Sequence, residues 1–240
     1  MAQETIEFDV RRVPGGDRRL LFINGYGGNF RQPGVKWYMN RLKEHGLDVT
    51  YIQLPTIVND FQREVLDPCL EVEMEMGDHV AVGFSFGGLT LAYMFGARRR
   101  IFLSPFWGIN DRWAKKGHKA IVKLLSIITR PVVPRHFDKE DAGELAVDDD
   151  MIGIPDLISF RTVEQFIEAQ DRIPEPLEND IVFYSPQDKE VSPRSIEERG
   201  IDSYRYYGGH IFYLTRKRKE LMEAILSAVD AGFYQSHSAN

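Results

Sequence analysis

The chain has 240 residues, of which 43% are hydrophobic, and this indicates one sizeable globular domain with a well-buried core. Its formal net charge of −6 argues against a nucleic-acid partner, and its longest apolar run, residues 120–133, is interrupted by two basic residues and a proline, so we expect no membrane span. A single cysteine, Cys69, cannot form an internal disulfide, and residues 1–9 lack a basic-then-apolar signal segment, which together predict a cytoplasmic protein.

Short apolar runs alternate with helical patterns along most of the chain. Strands are predicted at residues 5–13 (one or two edge strands), 20–23, 49–54, 79–84, 100–104, 181–184 and 203–207. Helices are predicted at residues 35–45, 60–74 (with a kink at Pro68), 86–96 and 214–229. This alternation is typical of βαβ units, and it predicts an α/β fold with a mostly parallel, doubly wound sheet.

Residues 106–179 break the alternation. Helical patterns occur there at residues 119–128, 138–145 and 161–170. No convincing strand is found in this stretch, and we interpret it as an inserted helical lid or cap over a pocket. Residues 1–105 and 180–240 would then form the core domain. The alternative is a set of ordinary crossover helices packed on the sheet.

Residues 83–87 read Gly-Phe-Ser-Phe-Gly, with Ser85 at their centre. An apolar run precedes them and a helical pattern follows, which is the strand–turn–helix context in which a G-x-S-x-G serine becomes a nucleophile. The tight turn forces such a serine into a strained conformation, with its hydroxyl clear of the sheet. The alternative is a glycine-rich turn whose serine only caps the helix.

A serine nucleophile needs a base to take its proton and an acid to orient that base. Of the six histidines, His210 has the most suitable position, because it follows two glycines and the last predicted strand. Asp188 lies in the loop after the strand that ends at Tyr184, at the same end of the sheet. Glu190 is its nearest substitute, and a turn or helix-cap role is the alternative for Asp188.

An attacked carbonyl also needs hydrogen-bond donors for its oxyanion. The backbone N–H of Phe86 is one predicted donor, and that of Tyr26, in the glycine-rich loop of residues 24–29, is the other. The alternative for this loop is a phosphate cradle. It has neither the G-x-G-x-x-G spacing nor the Lys-Ser/Thr pair that such a cradle requires.

The chain resembles the α/β-hydrolase fold family over nearly its whole length. The motifs that carry the resemblance are Asn-Gly-Tyr-Gly-Gly at 24–28, Gly-Phe-Ser-Phe-Gly at 83–87, Ser-Pro-Gln-Asp at 185–188 and Gly-Gly-His at 208–210. Within the family it is similar to small carboxylesterases, monoacylglycerol-lipase-like serine hydrolases and thioesterases with an inserted helical lid. Many members carry His-Gly where this chain has Asn24-Gly25, and an asparagine can still hold the loop by hydrogen bonds.

The resemblance implies an acyl-enzyme on Ser85, with His210 as the base and Asp188 as the acid. It also implies oxyanion donors at Tyr26 and Phe86, and neither a cofactor nor a metal. These features predict a serine hydrolase that cleaves a small-molecule carboxylic ester. A thioesterase uses the same parts and stays open as an alternative, as does a catalytically inactive binding protein on the same fold.

Two features of the insertion bear on this prediction. Phe106, Trp107 and Trp113 follow a predicted strand end, where they either line an acyl pocket or pack the lid on the core. The acidic run of residues 148–150 has no neighbouring ligand spacing that supports a cation site, so it predicts a solvated loop.

Overall fold

The computed structural model describes residues 5–109, 132–134, 137 and 139–234. The strands, in chain order, are β1 (Asp9–Val13), β2 (Arg18–Ile23), β3 (Leu47–Gln53), β4 (Val80–Phe84), β5 (Arg100–Leu103), β6 (Val132–Pro134), β7 (Leu157–Ser159), β8 (Ile181–Tyr184) and β9 (Asp202–Arg205). The predicted helix at 119–128 and Trp113 lie outside the described residues.

Seven of these strands form one sheet in the order β1-β3-β2-β4-β5-β8-β9. Strand β1 is antiparallel to β3, and every other neighbouring pair is parallel. The predicted mostly parallel sheet with an edge strand before it is therefore confirmed. Because the strands are parallel, the loops after β2, β4, β8 and β9 meet at one edge of the sheet, and these are the loops that carry the predicted site residues.

Helices connect the strands. They are α1 (Pro33–Glu44), α2 (Asp67–Met76), α3 (Phe86–Leu91), α4 (Lys139–Ala142), α5 (Phe160–Gln170), α6 (Pro193–Glu197) and α7 (Arg218–Tyr234). A π-helical turn, Gln62–Leu66, runs directly into α2, so the helix predicted at 60–74 consists of two pieces that join just before Pro68. Helix α3 ends at Leu91, earlier than the predicted 96, as the next backbone bonds tighten to an i→i+3 pattern.

The sheet is covered on both faces, which confirms the doubly wound arrangement. Leu20 and Phe22 of β2 pack in one apolar cluster with side chains of α1 and α7. Leu21 and Ile23 of the same strand point the other way, into a cluster with α2, α3 and α5. The sequence of a strand that is buried on both faces is a continuous apolar run, without alternating polar residues. This explains why β2 was recognisable from sequence.

The prediction that residues 106–179 contain no strand is wrong. Strands β6 and β7 pair antiparallel, with Val133 opposite Ile158. Each has only three residues, too few to show the period-2 pattern that marks a strand in a sequence. The helix predicted at 138–145 is shortened to α4, whereas the helix predicted at 161–170 is confirmed as α5, with the Ser159 hydroxyl capping its first turn.

Candidate active site

Ser85 occupies the turn between β4 and α3 with a backbone conformation of φ 51° and ψ −115°. Positive φ is costly for a non-glycine residue and persists only where the surrounding structure enforces it. A Cβ on Gly87 would lie 2.1 Å from the carbonyl oxygen of Ile23, and one on Gly83 would lie 2.6 Å from the oxygen of Gly87. Both flanking glycines are therefore required by close backbone approach, as the sequence motif predicts.

His210 faces the serine from the loop after β9. Its Nε2 lies 2.8 Å from Ser85 Oγ, and its ring packs 5.2 Å from the ring of Phe84. The loop is held from the opposite side by the insertion, because His210 N–H donates to the carbonyl of Asp141 and Ile211 N–H donates to that of Ala142, each at 2.8 Å. The imidazole therefore has a fixed position relative to the serine.

Asp188 completes a chain of hydrogen bonds with the two previous residues. Its Oδ2 lies 2.8 Å from His210 Nδ1, while Oδ1 accepts the backbone N–H groups of Glu190 at 2.8 Å and Val191 at 3.1 Å. A carboxylate only accepts, so Nδ1 carries the imidazole proton and the lone pair of Nε2 faces the serine hydroxyl. In this tautomer His210 can take the proton of Ser85.

Glu190, the alternative candidate for the acid, occupies a different position from that of Asp188. It contributes a backbone N–H to Asp188 and lines the cavity beside Ser85. The loops of the acid and the base are tied together by the Ser185 hydroxyl, which donates to the Gly208 carbonyl at 2.7 Å. This hydrogen bond belongs to no sequence motif, and the sequence analysis did not predict it.

The glycine-rich loop after β2 lies directly against the serine. A Cβ on Gly25 would come within 3.1 Å of Ser85 Cβ, so only glycine allows this approach without displacement. Asn24 secures the loop: its Oδ1 accepts Gly25 N–H at 2.8 Å and its Nδ2 donates to the Tyr51 hydroxyl at 2.7 Å. Asparagine thus holds the loop by hydrogen bonds, as expected for its replacement of histidine.

The two predicted oxyanion donors, Tyr26 and Phe86, directly follow Gly25 and Ser85 in the chain. Phe86 is the first residue of α3, and the N–H groups of a helix's first turn have no partner within the helix. Tyr26 follows Gly25, and its side-chain hydroxyl donates to the Thr56 carbonyl at 2.7 Å. The structure brings both residues beside Ser85, while their role as donors stays a prediction.

Two cavities adjoin Ser85 and His210. The larger, of about 110 Å³, is mainly apolar and is lined by Tyr26, Phe86, Phe106, Ile109, Ile158, Val163, Phe166 and Glu190. The smaller, of about 20 Å³, lies on the side of Gly25, Phe84 and Phe137. Phe106 therefore lines a pocket, whereas Trp107 packs in the core with its ring 4.9 Å from that of Phe102.

The acidic run in the insertion is not the solvated loop that its composition predicts. Asp148 and Asp149 are exposed, but Asp150 is buried and its Oδ1 accepts the N–H of Gly34, in the first turn of α1, at 2.7 Å. Beside it, the Asn29 and Gln32 side chains donate to the Ile152 carbonyl. The insertion is thereby fastened to the loop that follows β2.

The other described histidines are placed away from the serine. His45 lies 2.9 Å from Asp230, and His79 lies 3.7 Å from the buried Glu73. Among residues 5–109, 132–134, 137 and 139–234, no cluster of three or more His, Cys, Asp or Glu side chains is arranged to hold a metal ion. In the same part of the chain, no helix has the length and apolar character needed to cross a membrane.

The sheet order, the serine turn after β4 and the acid and histidine loops after β8 and β9 define the α/β-hydrolase fold. Solved structures with the same fold include a monoacylglycerol lipase from Paleococcus ferrophilus, with a TM-score of 0.77 and 15% identity over 95% of this chain and 100% of that one. A soluble variant of monoglyceride lipase from Saccharomyces cerevisiae gives a TM-score of 0.76 and 13% identity over 94% and 92%.

An esterase from Exiguobacterium antarcticum is also similar, with a TM-score of 0.65 and 16% identity over 93% of this chain and 95% of that one. No family model matches the sequence, and no curated protein does. At sequence identities of 13–16%, the structural similarity establishes the fold alone. It does not establish the reaction.

Proposed function

We propose that this protein is a serine hydrolase that cleaves carboxylic esters through an acyl-enzyme on Ser85. The observation that carries the proposal is the buried, continuous chain of hydrogen bonds from Ser85 Oγ through His210 to Asp188. The serine lies at a strained turn and beside an apolar cavity, where an acyl group has room next to the nucleophile. Lipases and esterases among the structures of the same fold agree with this chemistry.

The reaction follows from the positions of these side chains. Ser85 Oγ attacks the ester carbonyl as its proton passes to His210 Nε2, and Asp188 stabilises the imidazolium that forms. The N–H groups of Phe86 and Tyr26 bind the carbonyl oxygen as it becomes an oxyanion. Collapse releases the alcohol, which takes the proton from His210. Water, deprotonated by the same histidine, then attacks the acyl-enzyme, and the acid leaves as His210 returns the proton to Ser85 Oγ.

We further propose that residues 106–179 form a cap over Ser85. Its described part contributes Ile158, Val163 and Phe166 to the larger cavity, and its α4 segment binds the backbone of the His210 loop. Cap and core therefore build the acyl site together.

The test is hydrolysis of p-nitrophenyl acetate and butyrate, together with labelling by a fluorophosphonate probe. We expect the wild-type protein to cleave the esters and to be labelled at Ser85. Ser85→Ala should abolish labelling and lower kcat by a factor on the order of 10⁶, as for other serine nucleophiles. Ser203→Ala, which changes an exposed serine of β9, should behave as the wild type. Unlabelled wild-type protein without esterase activity would instead support a binding protein on this fold.

A thioesterase is the second candidate, because the same hydrogen-bond chain serves acyl transfer from sulfur. Comparing kcat/KM for an oxoester and a thioester with the same acyl group distinguishes the two. A thioester preference of more than tenfold over the oxoester would assign the thioesterase activity.

A further inference from the structure

The larger cavity beside Ser85 is small for an acyl site. Its volume is about 110 Å³. An apolar cavity of about 150 Å³ is enough for the six carbons of a benzene molecule, so this cavity has room for about four. The smaller cavity, of about 20 Å³, adds no useful room for a chain on the other side of the serine.

Phe166, on the inner face of α5, forms one wall of the larger cavity. Its ring lies 4.2 Å from the ring of Phe86, 5.5 Å from that of Tyr26 and 5.9 Å from that of Phe106. The residue is only 5% exposed, so this ring fills the space between the nucleophile turn and the helix behind it. Removing the ring would extend the cavity along α5.

Helix α5 is fixed on the core domain, so the wall that Phe166 forms cannot easily retreat. Thr162 Oγ1 accepts the N–H of Val58 at 3.0 Å, and Gln165 Oε1 accepts the N–H of Phe61 at 2.9 Å. The Tyr93 hydroxyl also donates to a carbonyl at the end of the helix. A shift of α5 would leave these buried backbone groups unpaired, which is costly.

We infer that Phe166 is a specificity-determining residue that limits the acyl group to about four carbons. The inference rests on the proposed ester hydrolysis and names the substrate class for that site: esters of short-chain acids. Within the cavity, each added methylene that fits should raise kcat/KM about fourfold. A longer chain must displace the Phe166 ring, so kcat/KM should fall once the cavity is full.

The experiment measures kcat/KM for p-nitrophenyl acetate, butyrate and octanoate, below the concentration at which the octanoate ester forms micelles. For the wild-type protein we expect butyrate to exceed octanoate at least tenfold. Phe166→Ala should reduce that ratio at least tenfold through a gain with octanoate. Phe166→Leu, which removes less volume, should give an intermediate ratio and serves if the alanine variant does not fold.

Phe61→Ala is the matched control. Phe61 is a buried ring 6.0 Å from that of Phe86, but it lies outside the lining of the larger cavity. This variant creates a similar void and should keep the wild-type butyrate-to-octanoate ratio. A wild-type preference for octanoate, or equal changes of the ratio in the Phe166 and Phe61 variants, would overturn the inference and leave ester hydrolysis intact. Absence of both hydrolysis and fluorophosphonate labelling would reject the proposed function and this inference with it.

Discussion

Asp188 shows how a buried carboxylate is hydrogen-bonded and oriented at the candidate site. It is only 3% exposed, and burial of an unpaired carboxylate would be strongly unfavourable. Both of its oxygens have donors, with two backbone N–H groups on Oδ1 and the imidazole on Oδ2. The backbone donors come from the turn that follows Asp188 itself, so a local turn sets the direction in which Oδ2 points.

We expect Asp188→Asn to lower kcat by a factor on the order of 10⁴. The amide oxygen can still accept the N–H groups of Glu190 and Val191, which turns the amide nitrogen toward His210 Nδ1. Nδ1 must then accept, so the proton moves to Nε2 and the imidazole can no longer take the proton of Ser85. Steady-state hydrolysis of p-nitrophenyl butyrate measures the loss, and circular dichroism checks the fold.

Glu190→Gln tests which of the two acidic residues orients the base. Its backbone N–H to Asp188 is retained, so the loss in kcat should be at least 100-fold smaller than for Asp188→Asn. Equal losses in the two variants would contradict the assignment of Asp188 as the acid.

At the residue scale, the serine turn was predictable because its requirements are local. Gly83 and Gly87 are dictated by backbone atoms within a few residues or on the adjacent strand, and the motif records that constraint. Asp188 could be preferred to Glu190 from the sequence only because it lies closer along the chain to the end of β8. The tie between Ser185 and the Gly208 carbonyl was not predictable, because a lone serine gives no sign of its partner.

At the scale of elements, residues 139–170 are fastened at several points to the loops and helices around the main sheet. The backbone of α4 binds the His210 loop, the polar side chains of α5 bind the loop around Val58, and Asp150 binds the first turn of α1. These contacts join residues from about 70 to 116 positions apart. Helical periodicity located α5, but it could not indicate which loop the helix would meet, and the three-residue strands β6 and β7 gave no periodic signal at all.

Asp150 provides a test of this fastening. Asp150→Ala leaves the Gly34 N–H buried without its acceptor, so we expect the free energy of unfolding to fall by about 1–3 kcal/mol. Asp149→Ala, which changes the exposed neighbour in the same acidic run, should alter it by less than about 0.5 kcal/mol. Urea unfolding monitored by tryptophan fluorescence gives both values. Equal effects of the two variants would mean that Asp150 is no more than a surface charge.

At the scale of the whole molecule, one face of the sheet buries several tyrosine hydroxyls. The face covered by α1 and α7 contains Tyr38, Tyr51, Tyr206 and Tyr213, all buried. Burial raises the pKa of each of these hydroxyls above the ordinary value near 10. Tyr206 shares a hydrogen bond of 2.9 Å with Ser104, whereas the Tyr38 hydroxyl has no hydrogen-bond partner among the residues that the structure describes.

These tyrosines should make the folded protein sensitive to alkali. In the folded state each keeps its proton above pH 10, while in the unfolded state each loses it, so ionisation favours unfolding only above about pH 10. Below that pH both states are neutral and the full stability is present. Each such tyrosine should therefore lower the free energy of unfolding by about 1.4 kcal/mol for every pH unit above 10.

Tyr38→Phe isolates one of these contributions. Near pH 8 we expect stability equal to the wild type or higher by about 1 kcal/mol, because a buried hydroxyl without a described partner is removed. Between pH 8 and about pH 11 the variant should lose about 1.4 kcal/mol less than the wild type. Urea unfolding at these pH values measures both, and Tyr207→Phe, at an exposed tyrosine, should follow the wild-type curve. If Tyr38→Phe loses stability as steeply as the wild type, the Tyr38 hydroxyl ionises as readily in the folded core as in the unfolded chain.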